Sequence, residues 1–174
     1  MVVVPRKFVF VANPRTGSRS MVQALLRMKG AVRSERHHSN YDEVPTDLPV
    51  YAIIRDPHTQ LRSWWYQSSD RTLHRATFCS WIRHQSQGFA PLYFHANEAQ
   101  TKLNIYHGLV TKYFLFERGL TAALEYMGSP PPPVHIGQTN AHTYMLTEED
   151  YATVEELFAE DIKLHKEISR VGLD

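Results

Sequence analysis

The sequence predicts an α/β domain with three layers: a central, mostly parallel sheet flanked by helices. Three observations predict it. Short apolar runs alternate with helix-patterned stretches along the chain, as a parallel sheet with crossover helices requires. Two of those runs, Lys7 to Ala12 and Val50 to Ile54, are apolar throughout, as strands buried on both faces are. Each run ends in a polar turn that opens a helix, the place where such sheets bind ligands.

The elements follow in order. Lys7 to Ala12 is a first strand, and Ser18 to Lys29 a first helix that ends near Gly30. Ala31 to Arg33 is a short second strand. Ser34 to Pro49 is polar and turn-rich, and Val50 to Ile54 is the next buried strand. Pro57 opens a helix reaching about Ser69, at a position where the missing N–H of proline costs nothing. Thr77 to Gln85 and Asn97 to Gly108 read as helices. Tyr113 to Phe116 is a fourth strand, and Leu120 to Met127 the helix after it. Gly128 to Pro133 is a stiff connector with four consecutive prolines. Thr147-Glu148-Glu149-Asp150 is a capping box that opens a last helix, reaching about Ser169. Val154, Leu157, Phe158, Leu164 and Ile168 form its apolar face. Asp161 falls on the same stripe, as a buried paired carboxylate or at the edge of the face.

Composition narrows the function. The 174 residues suit one domain, residues 1–174, with a sizeable core. A net charge of +1 argues against broad attraction to nucleic acid. The single cysteine, Cys79, points to a reducing, cytoplasmic compartment, and its simplest role is as a small core residue. The opening Met-Val-Val-Val-Pro-Arg-Lys is not patterned as a signal peptide, and no run approaches the roughly 20 apolar residues of a membrane helix, so no membrane partner is expected. The ten histidines are scattered, with no His-Glu-x-x-His or Cys-x-x-Cys, so no metal is expected.

Pro14-Arg15-Thr16-Gly17-Ser18-Arg19-Ser20 joins the first strand to the first helix. A loop there aims backbone N–H groups at one spot beside the positive end of a helix dipole, which suits a phosphate or sulfate. Gly17 allows close approach, Ser18 and Ser20 add hydroxyls, and Arg15 and Arg19 add charge. It is not a Walker loop, having no second glycine and no lysine. Taken alone, it could also be an ordinary structural turn. Arg55-Asp56-Pro57 through Ser63, at the end of the second buried strand, is a second candidate anion site.

Together the two segments resemble sulfotransferases. Pro14 to Ser20 resembles their 5′-phosphosulfate loop, Pro-Lys-Thr-Gly-Ser/Thr-Thr-Ser, and Arg55 to Ser63 their 3′-phosphate motif, Arg-Asp-Pro-x-x-Arg-x-x-Ser. Tyr113 to Arg118, with the helix to Met127-Gly128, is similar to a later strand–Glu–helix unit of the family. Glu155 to Asp161 is similar to the closing helix of its carbohydrate-directed branch. The resemblance implies a P-loop NTPase-like fold. It implies 3′-phosphoadenosine 5′-phosphosulfate (PAPS) as sulfuryl donor, adenosine 3′,5′-bisphosphate (PAP) as product, and a hydroxyl or amine acceptor such as a small molecule or saccharide. It also implies residue roles. Thr16, Gly17, Ser18, Arg19 and Ser20 would cradle the phosphosulfate, Arg15 would stand for the family's lysine, and Arg55 with Ser63 would hold the 3′-phosphate. Two positions depart from the pattern: Arg15 for lysine, and Gln60 for arginine, with Arg62 or Arg19 available to compensate.

Transfer to a hydroxyl is helped by a base near neutral pH, which suits histidine. His38, then His37, are the candidates in Glu35-Arg36-His37-His38, with Glu35 behind them; solvated loop histidines are the competing reading. His135 and His142 are more remote candidates. Trp64-Trp65-Tyr66 is core packing for at least two of its members, against a stacking platform for adenine or sugar. Trp81, Phe89, Tyr93 and Phe94 read as core or lid. Two other functions stay open: a catalytically silent nucleotide-binding module, and a P-loop kinase, against which the missing Walker lysine weighs.

Overall fold

The computed structural model describes residues 1–34, 43–45, 47–69, 77–88, 103–131 and 144–171. Five strands form one mixed sheet: β1 (Val2–Val4), β2 (Phe8–Val11), β3 (Val32–Arg33), β4 (Val50–Ile54) and β5 (Lys112–Leu115). Their spatial order is β3-β1-β2-β4-β5. Strand β2 pairs in parallel with β4, Val9 opposite Val50, and β4 in parallel with β5, Ala52 opposite Tyr113. Strands β1 and β3 are antiparallel additions at the edge, Val2 standing between Phe10 and Arg33. The helices are α1 (Ser18–Leu25), α2 (Pro57–Ser69), α3 (Phe78–Gly88), α4 (Leu120–Tyr126), α5 (Glu148–Leu157) and α6 (Ala159–Val171).

Successive residues of a strand face opposite sides of its sheet. In β2, Phe8 and Phe10 join Ile53 of β4 in a core cluster with Met21, Val22 and Leu25 of α1 and Leu124 of α4. Val9 and Val11 join Val50 and Ala52 against Ile105 and Tyr106 on the other side. Further along that side, Ile54 and Leu115 pack on Leu164 of α6. Both faces of the parallel strands are therefore covered, which is why these strands read as unbroken apolar runs. A fourth cluster lies among α2, α3, α5 and α6, around Leu61, Phe78, Trp81, Val154 and Phe158.

Three elements differ from expectation. Strand β1 is additional; Val2 and Val4 are buried in the cluster under α1, yet three valines beside a proline give no alternating signal. Asn97 to Gly108 was expected to be helical, and its described part, from Leu103, forms turns instead. Leu103, Asn104, Ile105 and Tyr106 are all buried in succession, which no single face of a helix provides. The last helix is two helices, interrupted at Phe158 (φ −127°, ψ 32°). Val154, Phe158 and Ile162 pack into the helical cluster while Leu164 packs on the sheet, so one straight axis does not serve both surfaces. No helix among the described residues is long and apolar enough to cross a membrane.

Candidate anion-binding site

The carboxyl ends of β2, β4 and β5 lie side by side, and the segment leaving each contributes to one polar cluster. After β2 comes the loop to α1. Asn13 is buried, donating from Nδ2 to the Ile53 carbonyl (3.1 Å) and to Asn104 Oδ1 (3.2 Å). Its own carbonyl accepts from Thr16 Oγ1 at 2.9 Å. Arg15 (φ 60°) and Gly17 (φ 73°) take left-handed conformations, and Gly17 is the residue before the first turn of α1. A side chain at Gly17 is also barred by space: a Cβ would stand 2.9 Å from Leu120 Cδ1 and 3.1 Å from Phe116 Cε2. The loop is thus seated against the segment that follows β5. No side chain caps the N-terminus of α1, and its first turn holds no acidic residue. That end keeps its partial positive charge.

The two motifs meet through side chains. Arg15 donates from Nε (3.1 Å) and Nη2 (2.8 Å) to Ser63 Oγ, and from Nη1 to Gln67 Oε1 (2.6 Å). Arg55 donates from Nη1 to the Arg15 carbonyl (3.1 Å) and from Nε to Thr59 Oγ1 (3.2 Å). Its guanidinium carbon lies 4.5 Å from the centre of the Phe116 ring, a cation–π contact. Gln60, fully buried, donates from Nε2 to the Pro14 carbonyl (2.7 Å), while its Oε1 is buried without a partner. Arg62 turns instead to the Tyr144 carbonyl (3.2 Å).

Asp56 and Glu117 complete the cluster. Asp56 caps α2, its Oδ2 accepting from the Thr59 N–H (3.0 Å) and its Oδ1 lying 3.2 Å from His58 Nδ1. Burial alone would raise its pKa; the bonds from His58 and Thr59 outweigh burial and hold it at about 2. Glu117 Oε1 accepts from the Asp56 N–H (2.8 Å), and its Oε2 lies 3.4 Å from His165 Nε2. These contacts lower its pKa against the opposing effect of burial. For Arg55, burial lowers the pKa, Glu117 opposes that, and Arg15 and Arg62 add repulsion. Burial lowers Arg15 too, with Arg19 adding to it. Both stay cationic, since arginine does not lose its proton in proteins. An anion beside them would favour the charged form of both guanidiniums.

Thr16, Ser18 and Ser20 are buried in or beside the loop, whereas Arg19 is exposed. The sequence expectations about His37, His38, Glu35, His135 and His142, and about Phe89, Tyr93 and Phe94, lie outside the described residues. Trp64 and Trp65 pack on the helical cluster, Trp65 with its ring centre 4.7 Å from that of Tyr144. Trp81 is buried in that cluster. Cys79 is half-buried and donates to Asp150 Oδ1 at 3.0 Å. Among the described residues, no group of three or more His, Cys, Asp or Glu side chains is placed to hold a metal ion. Sequence reasoning did not single out Gln67, Asn13 or Asn104. Gln67 lies four residues after Ser63 on α2, a same-face spacing that could have found it. The Asn13–Asn104 pair spans 91 residues and left no local signal.

No protein-family model, curated protein or solved structure matches the chain. Chemically, the cluster offers a helix N-terminus, a glycine-seated loop and two arginines, with the carboxylates of Asp56 and Glu117 offsetting part of the positive charge around Arg55. It can bind a multivalent oxyanion and neutralise charge that develops on it.

Proposed function

We propose that the protein is a sulfotransferase using PAPS as donor, on a P-loop-like α/β scaffold of cytoplasmic type, with a hydroxyl or amine acceptor such as a saccharide. The observation that carries this reading is the meeting of the two motifs. Segments 48 residues apart are joined by Arg15 on Ser63, and Arg55 holds the loop from the other motif. Turns leaving adjacent parallel strands lie side by side in any case; what favours the reading is that the bonds run between the motif residues themselves.

The residues fit the group. The uncapped α1 terminus and the loop from Thr16 to Ser20 suit the phosphosulfate. Arg55 and Ser63 suit a 3′-phosphate, Ser63 also bonding Arg15. The donor supplies a sulfur already bonded to a good leaving group. The acceptor oxygen attacks sulfur, the bond from sulfur to the 5′-phosphate oxygen breaks, and PAP leaves with the electron pair. Arg15 neutralises charge on that phosphate by hydrogen bonding and does not supply a proton. The acceptor's proton goes to a base, for which His38, then His37, are the candidates.

Calorimetric titration with PAP, beside AMP and magnesium-ATP, tests this. Tight, metal-independent binding that depends on the 3′-phosphate is expected. A preference for magnesium-ATP, or no binding, would overturn it. A silent nucleotide-binding module is the second reading, favoured by the three hydrogen bonds that commit Arg15 to Ser63 and Gln67. Formation of sulfated product separates the two, because both bind PAP.

A further inference from the structure

A peptide unit is planar and trans, so its C=O and its N–H point in opposite directions. A side chain that takes up one carbonyl therefore also aims the amide of the next residue. In the loop after β2, three successive carbonyls are taken by side chains: Asn13 by Thr16 Oγ1, Pro14 by Gln60 Nε2, and Arg15 by Arg55 Nη1. The amides sharing the last two peptide units belong to Arg15 and Thr16. They point away from Gln60 and Arg55 respectively. Positive φ at Arg15 and again at Gly17 curls the same stretch, the kind of backbone that lines a concavity with N–H groups.

Gln60 is the unexpected member. A buried amide ordinarily satisfies both its ends. Here Oε1 is buried without a partner while Nε2 makes a 2.7 Å bond. The orientation is fixed by the acceptor, because a carbonyl can only accept; the reverse orientation would set two oxygens against each other. We propose that Gln60 is a positioning residue that sets the polarity of this loop. By holding the Pro14 carbonyl it makes the loop present amides rather than carbonyls, and so selects a tetrahedral oxyanion, sulfate or phosphate, as ligand. This rests on the anion-site reading and not on sulfuryl transfer.

The test uses the full chain and inorganic sulfate, whose charge is constant from about pH 5 to about pH 8. Gln60→Met keeps the length and removes the donor. It is expected to weaken sulfate binding on the order of tenfold. It should also speed amide hydrogen exchange in residues 15–18 by a similar factor, with exchange in β2 and β4 unchanged. Gln60→Glu replaces the amide donor by a carboxylate that the nearby Arg15 and Arg55 cations keep ionised, so it offers the Pro14 carbonyl no hydrogen and sets a like charge beside the ligand. Its sulfate affinity should fall below that of the Met variant. Wild-type affinity and loop exchange in Gln60→Met would overturn the proposal. So would losses spread equally over β2 and β4, or a wild-type protein that binds no sulfate. If Gln60→Met does not fold, a Gln60→Glu protein with wild-type sulfate affinity overturns it alone. Sulfate binding without preference for PAP over AMP would sink the sulfotransferase reading and leave the role of Gln60 standing.

Discussion

Arg55 has one observed contact with the loop and one proposed role, and a single substitution read with two ligands can separate them. Its Nη1 holds the Arg15 carbonyl, so its loss disturbs the loop for every anion; as a cation it also suits a 3′-phosphate. Arg55→Ala is expected to weaken PAP binding about thirty- to a hundredfold and AMP binding by at most about tenfold, both read by calorimetry. Equal losses would remove the 3′-phosphate contact and leave only the loop contact. Gly17 is the other decisive residue. Its φ of 73° and the 2.9 Å approach to Leu120 Cδ1 are independent obstacles to any side chain. Gly17→Ala should cost about 2–4 kcal/mol in urea unfolding, part from the left-handed backbone and part from overpacking. Adding Leu120→Ala should relieve only the overpacking part. The glycine was legible in the sequence as a point of close approach. That the approach is to Leu120 and Phe116 as well was not, because those residues come from a strand end about a hundred residues on.

Helix α2 connects the motifs because of how it starts. Asp56 caps it, Pro57 takes the first helical position, and Gln60, Ser63 and Gln67 then recur on the side turned to the loop. The folded Asp56 carboxyl titrates at about 2, below its ordinary 3.8. Its contribution is therefore full above about pH 4 and is lost as pH falls toward about 2. Asp56→Asn keeps a capping oxygen and removes the titration. Urea midpoints should show a shallower acid decline in the variant, with a loss of about 1–3 kcal/mol at neutral pH. An acid limb identical to wild type would mean that other carboxylates carry it. The bounds of α2 were readable because the cap, the proline and the apolar spacing all lie within one short stretch. The break at Phe158 was not, because the apolar stripe from Val154 to Ile168 continues through it. Only the two different surfaces that α5 and α6 cover explain the turn.

Across the whole molecule, the loop depends on a residue of the last helix. Asp161, buried in α6, accepts from the Leu103 N–H and from Asn104 Nδ2, each at 3.0 Å. Asn104 in turn meets Asn13 at the start of the loop. Its place on the apolar stripe marked Asp161 as a buried, paired carboxylate or an edge residue; its partners, 57 and 58 residues away, were beyond any local pattern. Asp161→Ala removes the acceptor shared by two buried donors and should cost about 2–4 kcal/mol in urea unfolding. It should also lower sulfate affinity although Asp161 does not line the loop; unchanged affinity would show that Asn104 holds its place unaided. This chain of contacts has a consequence for biosynthesis. Domains are made from their N-terminus, and the loop after β2 is among the first segments to leave the ribosome. Its supports arrive later, Arg55, Gln60 and Ser63 first, then Asn104, and Asp161 last. A nascent chain carries the loop's sequence long before it carries all of the loop's supports, so any ligand of the loop can stabilise the protein only after α6 has emerged.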